Sequence, residues 1–373
     1  MSFDSIKGKL GFGCMRLPMK DDEVDHDAFS ALVDIFLAEG FNYFDTATGY
    51  LSGKSETALK KCLTDRYPRE SYLLTNKLST PFFEKNEDIR PYFQRQLDAC
   101  GVEYFDFYLM HAQEKKLFEK YKACRAYETA LEFLKEGRIK HFGISFHDNA
   151  DMLKTILDAY PQIEVVQLQF NYLDYEDDAI QSRKCYELCR ERNIPVFVME
   201  PVKGGSLANL PDEAAEHFKR LGSASAASYA IRFAAGFEGV VSVLSGMGDE
   251  AMLRDNIASL KAFKPLDEKE REAVNNVVAY FKSLDLVSCT ACRYCTDGCP
   301  ANIPIPDVFS CYNKYNALKG WNSKYYYSVA THGKGKAKDC LKCGACEAIC
   351  PQHLEIIKNL ERASEAFDKK EDK

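Results

Sequence analysis

Cysteine spacing constrains this chain more than any other feature. The run Cys289-x-x-Cys292-x-x-Cys295-x-x-x-Cys299-Pro300 recurs as Cys340-x-x-Cys343-x-x-Cys346-x-x-x-Cys350-Pro351. Three cysteines at two-residue gaps present three thiolates to one corner of an iron–sulfur cube. The fourth, followed by proline, points away and typically closes the other cluster. The repeat therefore predicts two [4Fe–4S] clusters held by these eight cysteines, and a protein that handles electrons. Zinc is the competing metal, because four-cysteine zinc sites also use C-x-x-C pairs. Zinc needs only two such pairs, so the third cysteine and the C-P ending favour the cluster.

At 373 residues the chain has room for one large core and a smaller domain. Its hydrophobic share of 46% and charged share of 28% are those of an ordinary globular protein. A net charge of −7 argues against nucleic acid as the main partner. No apolar run is long enough for a membrane span. The start Met1-Ser2-Phe3-Asp4 carries no apolar signal segment. A reduced cytoplasm, poor in oxygen, is the expected location, and a disulfide framework is not expected. Seven further cysteines (Cys14, Cys62, Cys100, Cys124, Cys185, Cys189, Cys311) are scattered and read mostly as small core residues.

Before the cysteine runs, short apolar segments alternate with amphipathic helical patterns. The segments are 10–13, 42–45, 72–76, 106–110, 141–144, 165–169, 195–199 and 241–244. Continuous apolar strands are covered on both faces, as in a parallel sheet. Eight strand–helix units make a (β/α)8 TIM barrel the natural closure. An open doubly wound sheet is the alternative, but no strand leads into G-x-G-x-x-G. The expected organisation is a barrel over 1–265, a connecting helix over 266–285, and a small, mostly helical iron–sulfur domain over 286–373. Helices are expected over 306–318 and 321–331. Residues 333–338 read as a basic linker, and the tail from Glu361 as a solvated, partly frayed end.

Catalytic groups of such barrels sit at the C-terminal ends of strands. Asp45 ends the second run and Tyr50 follows in its loop; Lys77 ends the third, and His111 the fourth. Consecutive strands let these side chains converge. Taken singly, each has a plainer reading: a helix cap, a solvated charge, a locally bonded ring. Their joint placement favours chemistry.

The segments Phe44-Asp-Thr-Ala-Thr-Gly-Tyr50, Gly53-Lys-Ser-Glu56, Thr75-Asn-Lys77, Tyr104-Phe-Asp-Phe-Tyr-Leu-Met-His111, Gly137-Arg-Ile-Lys-His-Phe-Gly-Ile-Ser145 and Gln167-Leu-Gln-Phe-Asn171 follow one another. In that order they resemble the landmarks of the aldo-keto reductase family. The resemblance covers about residues 8–265, and the appended part resembles an α-helical ferredoxin-type domain. It implies an NAD(P)-dependent oxidoreductase that transfers hydride to a carbonyl or from an alcohol. Tyr50 is then the general acid/base, Lys77 lowers its pKa, Asp45 orients Lys77, and neutral His111 steadies charge on the substrate oxygen.

The resemblance also implies cofactor contacts. Ser145 and Gln169 match positions that hold the nicotinamide carboxamide, and Asn256 an adenine-side asparagine. The loop with Pro201, Lys203, Gly204 and Gly205 suits a pyrophosphate. Gly246 and Met247 open the last barrel helix, where phosphate is favoured, and Met15 and Arg16 follow the first strand. The chain departs from the family at Phe146, where asparagine is usual, and at Met199, where a stacking tyrosine is usual. Gly246 and Met252 replace the Lys and Arg that some relatives place on a 2′-phosphate, leaving NADPH and NADH both open.

Three functions remain open from sequence. One is an electron-transferring reductase with a small carbonyl or alcohol substrate and a redox partner protein. The second is a carbonyl reductase with purely structural clusters. The third is a non-catalytic nicotinamide-binding redox sensor. Nicotinamide exchanges two electrons as hydride whereas a cluster takes one, and no flavin motif is visible to split the pair.

Overall fold

The structure is a computed structural model that describes residues 3–177, 180–222, 224–284, 286–318 and 323–368. The eight apolar runs form eight parallel strands. They are β1 (Leu10–Gly13), β2 (Tyr43–Asp45), β3 (Leu73–Leu78), β4 (Phe105–Gln113), β5 (Ile139–Phe146), β6 (Val165–Gln169), β7 (Val196–Met199) and β8 (Val240–Ser245). Each strand hydrogen-bonds to the next, and β1 also pairs with β8, so the sheet is a closed barrel. Closure removes the exposed sheet edge that an open arrangement would leave.

Side chains fill the barrel interior. Tyr43, Phe107, Leu109, Val165, Phe197 and Leu244 pack there with Phe3. The Phe3 ring meets Phe107 edge-on at 5.1 Å between centroids, a favoured aromatic geometry. At position 11 of β1 only glycine fits, because a Cβ there would lie 2.7 Å from Ser242 Oγ and 2.8 Å from the Tyr43 ring. A second shell, including Phe12, Phe29, Phe36 and Phe44, packs between the sheet and its helices.

Strand register places the polar groups. Asp45 sits opposite Gly13 on β1 and Thr75 on β3. Lys77 lies two residues further along β3, opposite Leu109 of β4. With a strand period of two, Thr75 and Lys77 share a face.

The chain divides into two compact units: Met1–Pro201 with Ala227–Leu266, and Val202–Ala226 with Asp267–Lys373. The second contains the helices Asp212–Lys219, Glu268–Ser283, Ile305–Leu318, Ser323–Ala330 and Ile356–Phe367. Its core gathers Val287, Ile303, Ile305, Val308, Phe309 and Leu360. Within this unit the segment after β7 is packed tightly. A Cβ on Gly204, which has φ +65°, would fall 2.4 Å from the Thr290 carbonyl oxygen.

One expectation needs correction. The tail from Glu361 is not frayed as far as Phe367, because it continues the helix Ile356–Phe367, which buries Ile356, Leu360 and Ala363. That apolar stripe at helical spacing outweighs the charged composition. Trp321, expected in the helix over 321–331, lies outside the described residues; the helix is described from Ser323. Among the described residues no helix is long and apolar enough to cross a membrane.

Candidate active site

Asp45, Lys77, Tyr50 and His111 come together at the C-terminal ends of β2, β3 and β4. The Lys77 ammonium is fully buried. It has three hydrogens, and three acceptors surround it: Asp45 Oδ1 at 2.6 Å, the Thr46 carbonyl at 2.9 Å and Tyr50 Oη at 3.1 Å. Gln167 Nε2 donates to the second Asp45 oxygen at 3.0 Å. A buried ion pair is costly unless its remaining lone pairs are met, and here both carboxylate oxygens have donors. Because Lys77 donates to the phenol oxygen, the Tyr50 proton is left to point elsewhere.

Local sequence explains the pose of Tyr50. Leu51 and Ser52 adopt left-handed conformations with φ 52° and 56°, which side chains other than glycine rarely take. The following helix, Lys54–Leu59, is anchored to its surroundings by its side chains. Ser55 Oγ donates to the Cys14 carbonyl at 2.9 Å, and Glu56 accepts from Thr48 and Asn76 at 3.0 and 2.8 Å. Gln96 adds bonds to Thr48 and to the Lys77 carbonyl, both 2.9 Å. Burial pushes the Glu56 carboxyl up, and these donors oppose the shift.

The electrostatics correct one expectation. Lys77 does not pull the Tyr50 pKa below its ordinary value. Burial first, then the carboxylates of Asp45 and Glu200, push it well above 10, with Arg16 opposing. The ammonium is already paired with Asp45, so little net positive field reaches the phenol. Tyr50 keeps part of its surface open, and water there offsets some of the burial penalty. The two carboxylates still act in the same direction, and the phenol stays protonated at neutral pH. His111 is held neutral: burial, then Lys77 and His147, push its pKa well below the usual 6.5. The rings of Tyr50 and His111 are 6.1 Å apart.

Two positioning contacts escaped the sequence reading. Gln167 sits two residues before Gln169, so strand alternation puts it on the same face, and that signal was available. Ser79 Oγ lies 2.6 Å from His111 Nδ1. No motif singles out Ser79, although it follows Lys77 by two.

Residues expected to hold a cofactor are spread over both units. Ser145 Oγ accepts from the Ala112 amide at 2.8 Å, and Gln169 Nε2 donates to Asp174 at 2.7 Å. Asn256 is buried, and its amide donates to Ser245 Oγ at 2.8 Å. Arg16 stands 3.9 Å from Glu200, and a Cβ on Gly246 would lie 3.1 Å from Arg16 Cβ. Met247 and Lys203 are buried, whereas Met252 is exposed. Met15 follows β1, and Pro201 closes the barrel part before the second unit begins. Lys203, Gly204 and Gly205 belong to that second unit.

In the second unit the eight cysteines line two recesses. One is walled by Cys289, Cys292, Cys295 and Cys350 with Phe309, Leu354 and Ile356. The other is walled by Cys299, Cys340, Cys343 and Cys346 with Ile303, Ile305 and Leu360. Each recess thus draws three cysteines from one run and one from the other. Among the described residues no three acidic, histidine or cysteine groups are gathered tightly enough to hold a single metal ion. The donor set of four soft thiols in an apolar wall fits an iron–sulfur cluster. Backbone amides reach two of the sulfurs, Ala291 N to Cys289 and Ile303 N to Cys299, each at 3.4 Å. Such bonds tune cluster potentials.

Comparison with known proteins agrees. Residues 9–279 match the aldo/keto reductase family, and residues 288–355 match the 4Fe-4S dicluster domain. The NADH-specific methylglyoxal reductase of Escherichia coli (strain K12) is 29% identical over 185 residues, covering 45% of this chain and 54% of that protein. The uncharacterized oxidoreductase YqkF of Bacillus subtilis (strain 168) is 23% identical over 304 residues, covering 72% and 92%. The chain spans only about half the length of some curated relatives it matches. Among solved structures, the holo form of aldo-keto reductase AKR11C1 from Bacillus halodurans superposes with a TM-score of 0.58 at 22% identity, covering 72% of this chain and 91% of that one. An aldo-keto reductase from Klebsiella pneumoniae in complex with NADPH gives 0.58 at 17%, covering 72% and 90%. The barrel, its polar cluster and the paired cysteine recesses lead to one conclusion: this chain belongs to the aldo/keto reductase family and carries a 4Fe-4S dicluster domain.

Proposed function

We propose that this protein is an NAD(P)H-dependent carbonyl reductase that uses Tyr50 as its proton donor, and that its eight cysteines hold two [4Fe–4S] clusters for one-electron transfer. The observation that carries the reading is the buried chain Gln167–Asp45–Lys77–Tyr50, which ends on a protonated phenol beside a neutral imidazole. A bound nicotinamide supplies hydride to the carbonyl carbon. The carbonyl oxygen then needs one proton, and Tyr50 Oη–H gives it. His111, with Nδ1 engaged by Ser79, turns its other ring nitrogen to the same oxygen and stabilises the charge that develops there. Lys77 holds Tyr50 in place and steadies the phenolate once the proton has left.

Met15, Arg16, Ser145, Gln169, Pro201, Lys203, Gly204, Gly205, Gly246, Met247 and Asn256 are the residues that would hold the cofactor, on the family's pattern. One relative is named for NADH and a solved neighbour is described with NADPH. Together they support a nicotinamide without choosing its phosphate. A small carbonyl is the substrate class. Iron–sulfur clusters, when bound, exchange single electrons.

The test is Tyr50→Phe, which keeps the ring and removes the proton. Carbonyl reduction should fall by about 10²–10⁴-fold, with nicotinamide affinity unchanged by fluorescence titration. Turnover at the wild-type rate would remove Tyr50 from the mechanism.

A further inference from the structure

The two cysteine recesses differ in how they meet solvent. In the first, Cys295 is buried and none of the four cysteines is exposed. In the second, Cys343 is exposed. Leu341 and Ala345, which line the same recess as Cys343, are also exposed, Leu341 by 68%. The helix Ser323–Ala330 presents Tyr325, Tyr326 and Val329 outward while Tyr327 turns inward. Tyr327 Oη accepts from the Ala337 amide at 2.8 Å, which ties that helix to the turn leading into Cys340.

This apolar ground has a basic rim. Residues 333–342 hold four lysines and one aspartate in a chain of net charge −7. Lys334, Lys336 and Lys338 are exposed. Lys342 is engaged by Glu361 at 2.6 Å, so the other three supply the outward charge.

We propose that the face around Cys343, with Leu341 and Ala345 at its centre and Lys334, Lys336 and Lys338 on its rim, docks a one-electron carrier protein with an acidic surface. An apolar centre with a charged rim is how transient protein interfaces are built, and rim charges steer encounter between opposite fields. The exposed cysteine places the second metal centre at the contact. Each encounter moves one electron: the reduced carrier is oxidised by one, the centre held by Cys299, Cys340, Cys343 and Cys346 is reduced by one, and no bond or proton moves. The inference rests on the cluster assignment above and is independent of Tyr50 chemistry.

The experiment uses the anaerobically purified full chain and an acidic plant-type ferredoxin as the carrier. Binding is followed by calorimetry, and electron exchange by stopped-flow absorbance. K334E/K336E/K338E should weaken binding about tenfold or more at about 0.01 M salt, and the difference should vanish near 1 M, where charges are screened. K115E/K116E on the barrel is the control and should bind as wild type. Iron and sulfide content of each variant must equal that of wild type. Equal binding by the triple variant at low salt, or equal loss in the control, would overturn the docking face. Loss of binding to anionic vesicles with the ferredoxin unaffected would reject a protein carrier in favour of a lipid surface. Wild-type protein that lacks iron and sulfide would overturn the docking face together with the cluster assignment. Ferredoxin docking that survives Tyr50→Phe would show that this inference and the catalytic reading stand apart.

Discussion

The barrel mouth and the cysteine lobe hold their functional groups by opposite means. At the mouth every charge is answered by protein: Asp45 by Lys77 and Gln167, and Lys77 by three acceptors. In the lobe the protein supplies a frame and leaves the centre to a metal. Burial first, then Cys292, Cys289 and Cys350, push the Cys295 thiol up to about 12. Iron binds the thiolate, and where a cluster forms its binding free energy becomes part of the lobe's folding. The lesson is that one chain combines a site preorganised by hydrogen bonds with one completed only by its ligand.

Removing iron is the hardest blow to that contrast. Anaerobic chelation should collapse the tertiary structure of the cysteine lobe and leave the barrel cooperative. Hydrogen exchange would show protection lost in Ile305–Leu318 and Ile356–Phe367 but kept in β3 and β4. A lobe that stays fully protected without iron would mean that the protein alone holds it.

Next in size is Lys77→Met. It leaves the buried Asp45 carboxylate without its cation, a change that costs about 3–5 kcal/mol, readable as a lower urea midpoint. Carbonyl reduction should drop with it by about 10²-fold or more. If stability is unchanged, the ion pair is not the mainstay of this site.

A smaller effect is expected from Gln167→Leu, which removes one donor from Asp45. A loss of about 1–3 kcal/mol is the usual cost of an unmet buried acceptor, with activity reduced far less than by Lys77→Met. The pair of variants separates holding the carboxylate from holding the phenol.

The smallest expected change is the pH response. The Tyr50 pKa is raised, so its proton stays on through neutral pH and leaves only above the ordinary tyrosine value of 10. His111 has a depressed pKa and gains a proton only well below 6.5. The kcat/KM for carbonyl reduction should therefore stay flat between about pH 7 and 9. A fall centred near pH 8 would show that the lysine field wins over burial and the carboxylates.

Much of the architecture was readable from local pattern. The strand runs needed only apolar continuity and helix-length gaps, and β6 was placed to the residue over 165–169. β3 and β4 run on to Leu78 and Gln113, past the expected 76 and 110. Their extra residues are polar or mixed: ladder pairing keeps Lys77, Leu78 and Gln113 in the sheet, while Ala112, at φ 52°, lies in an irregularity between Met110 and Gln113. The polar cluster was legible because Asp45, Lys77 and His111 lie at or near strand ends and Tyr50 follows in the loop after Asp45. Its electrostatic sign was not, because that depends first on burial of the phenol and then on Asp45 of β2 and Glu200, just past β7, acting on it together.

By itself the sequence determined the alternation of strands and helices, the spacing of two cysteine runs, and which polar residues stand at strand ends. These are properties of neighbours along the chain, set by backbone period and side-chain type. Tertiary structure alone decided that Gln167 reaches Asp45 across 122 positions, that Ser79 meets His111, and that the loop after β7 joins the cysteine lobe through Gly204 and Thr290. It also decided the pKa direction of Tyr50. Those outcomes follow from barrel closure and burial, which bring distant groups into one low-dielectric space where their charges act on one another.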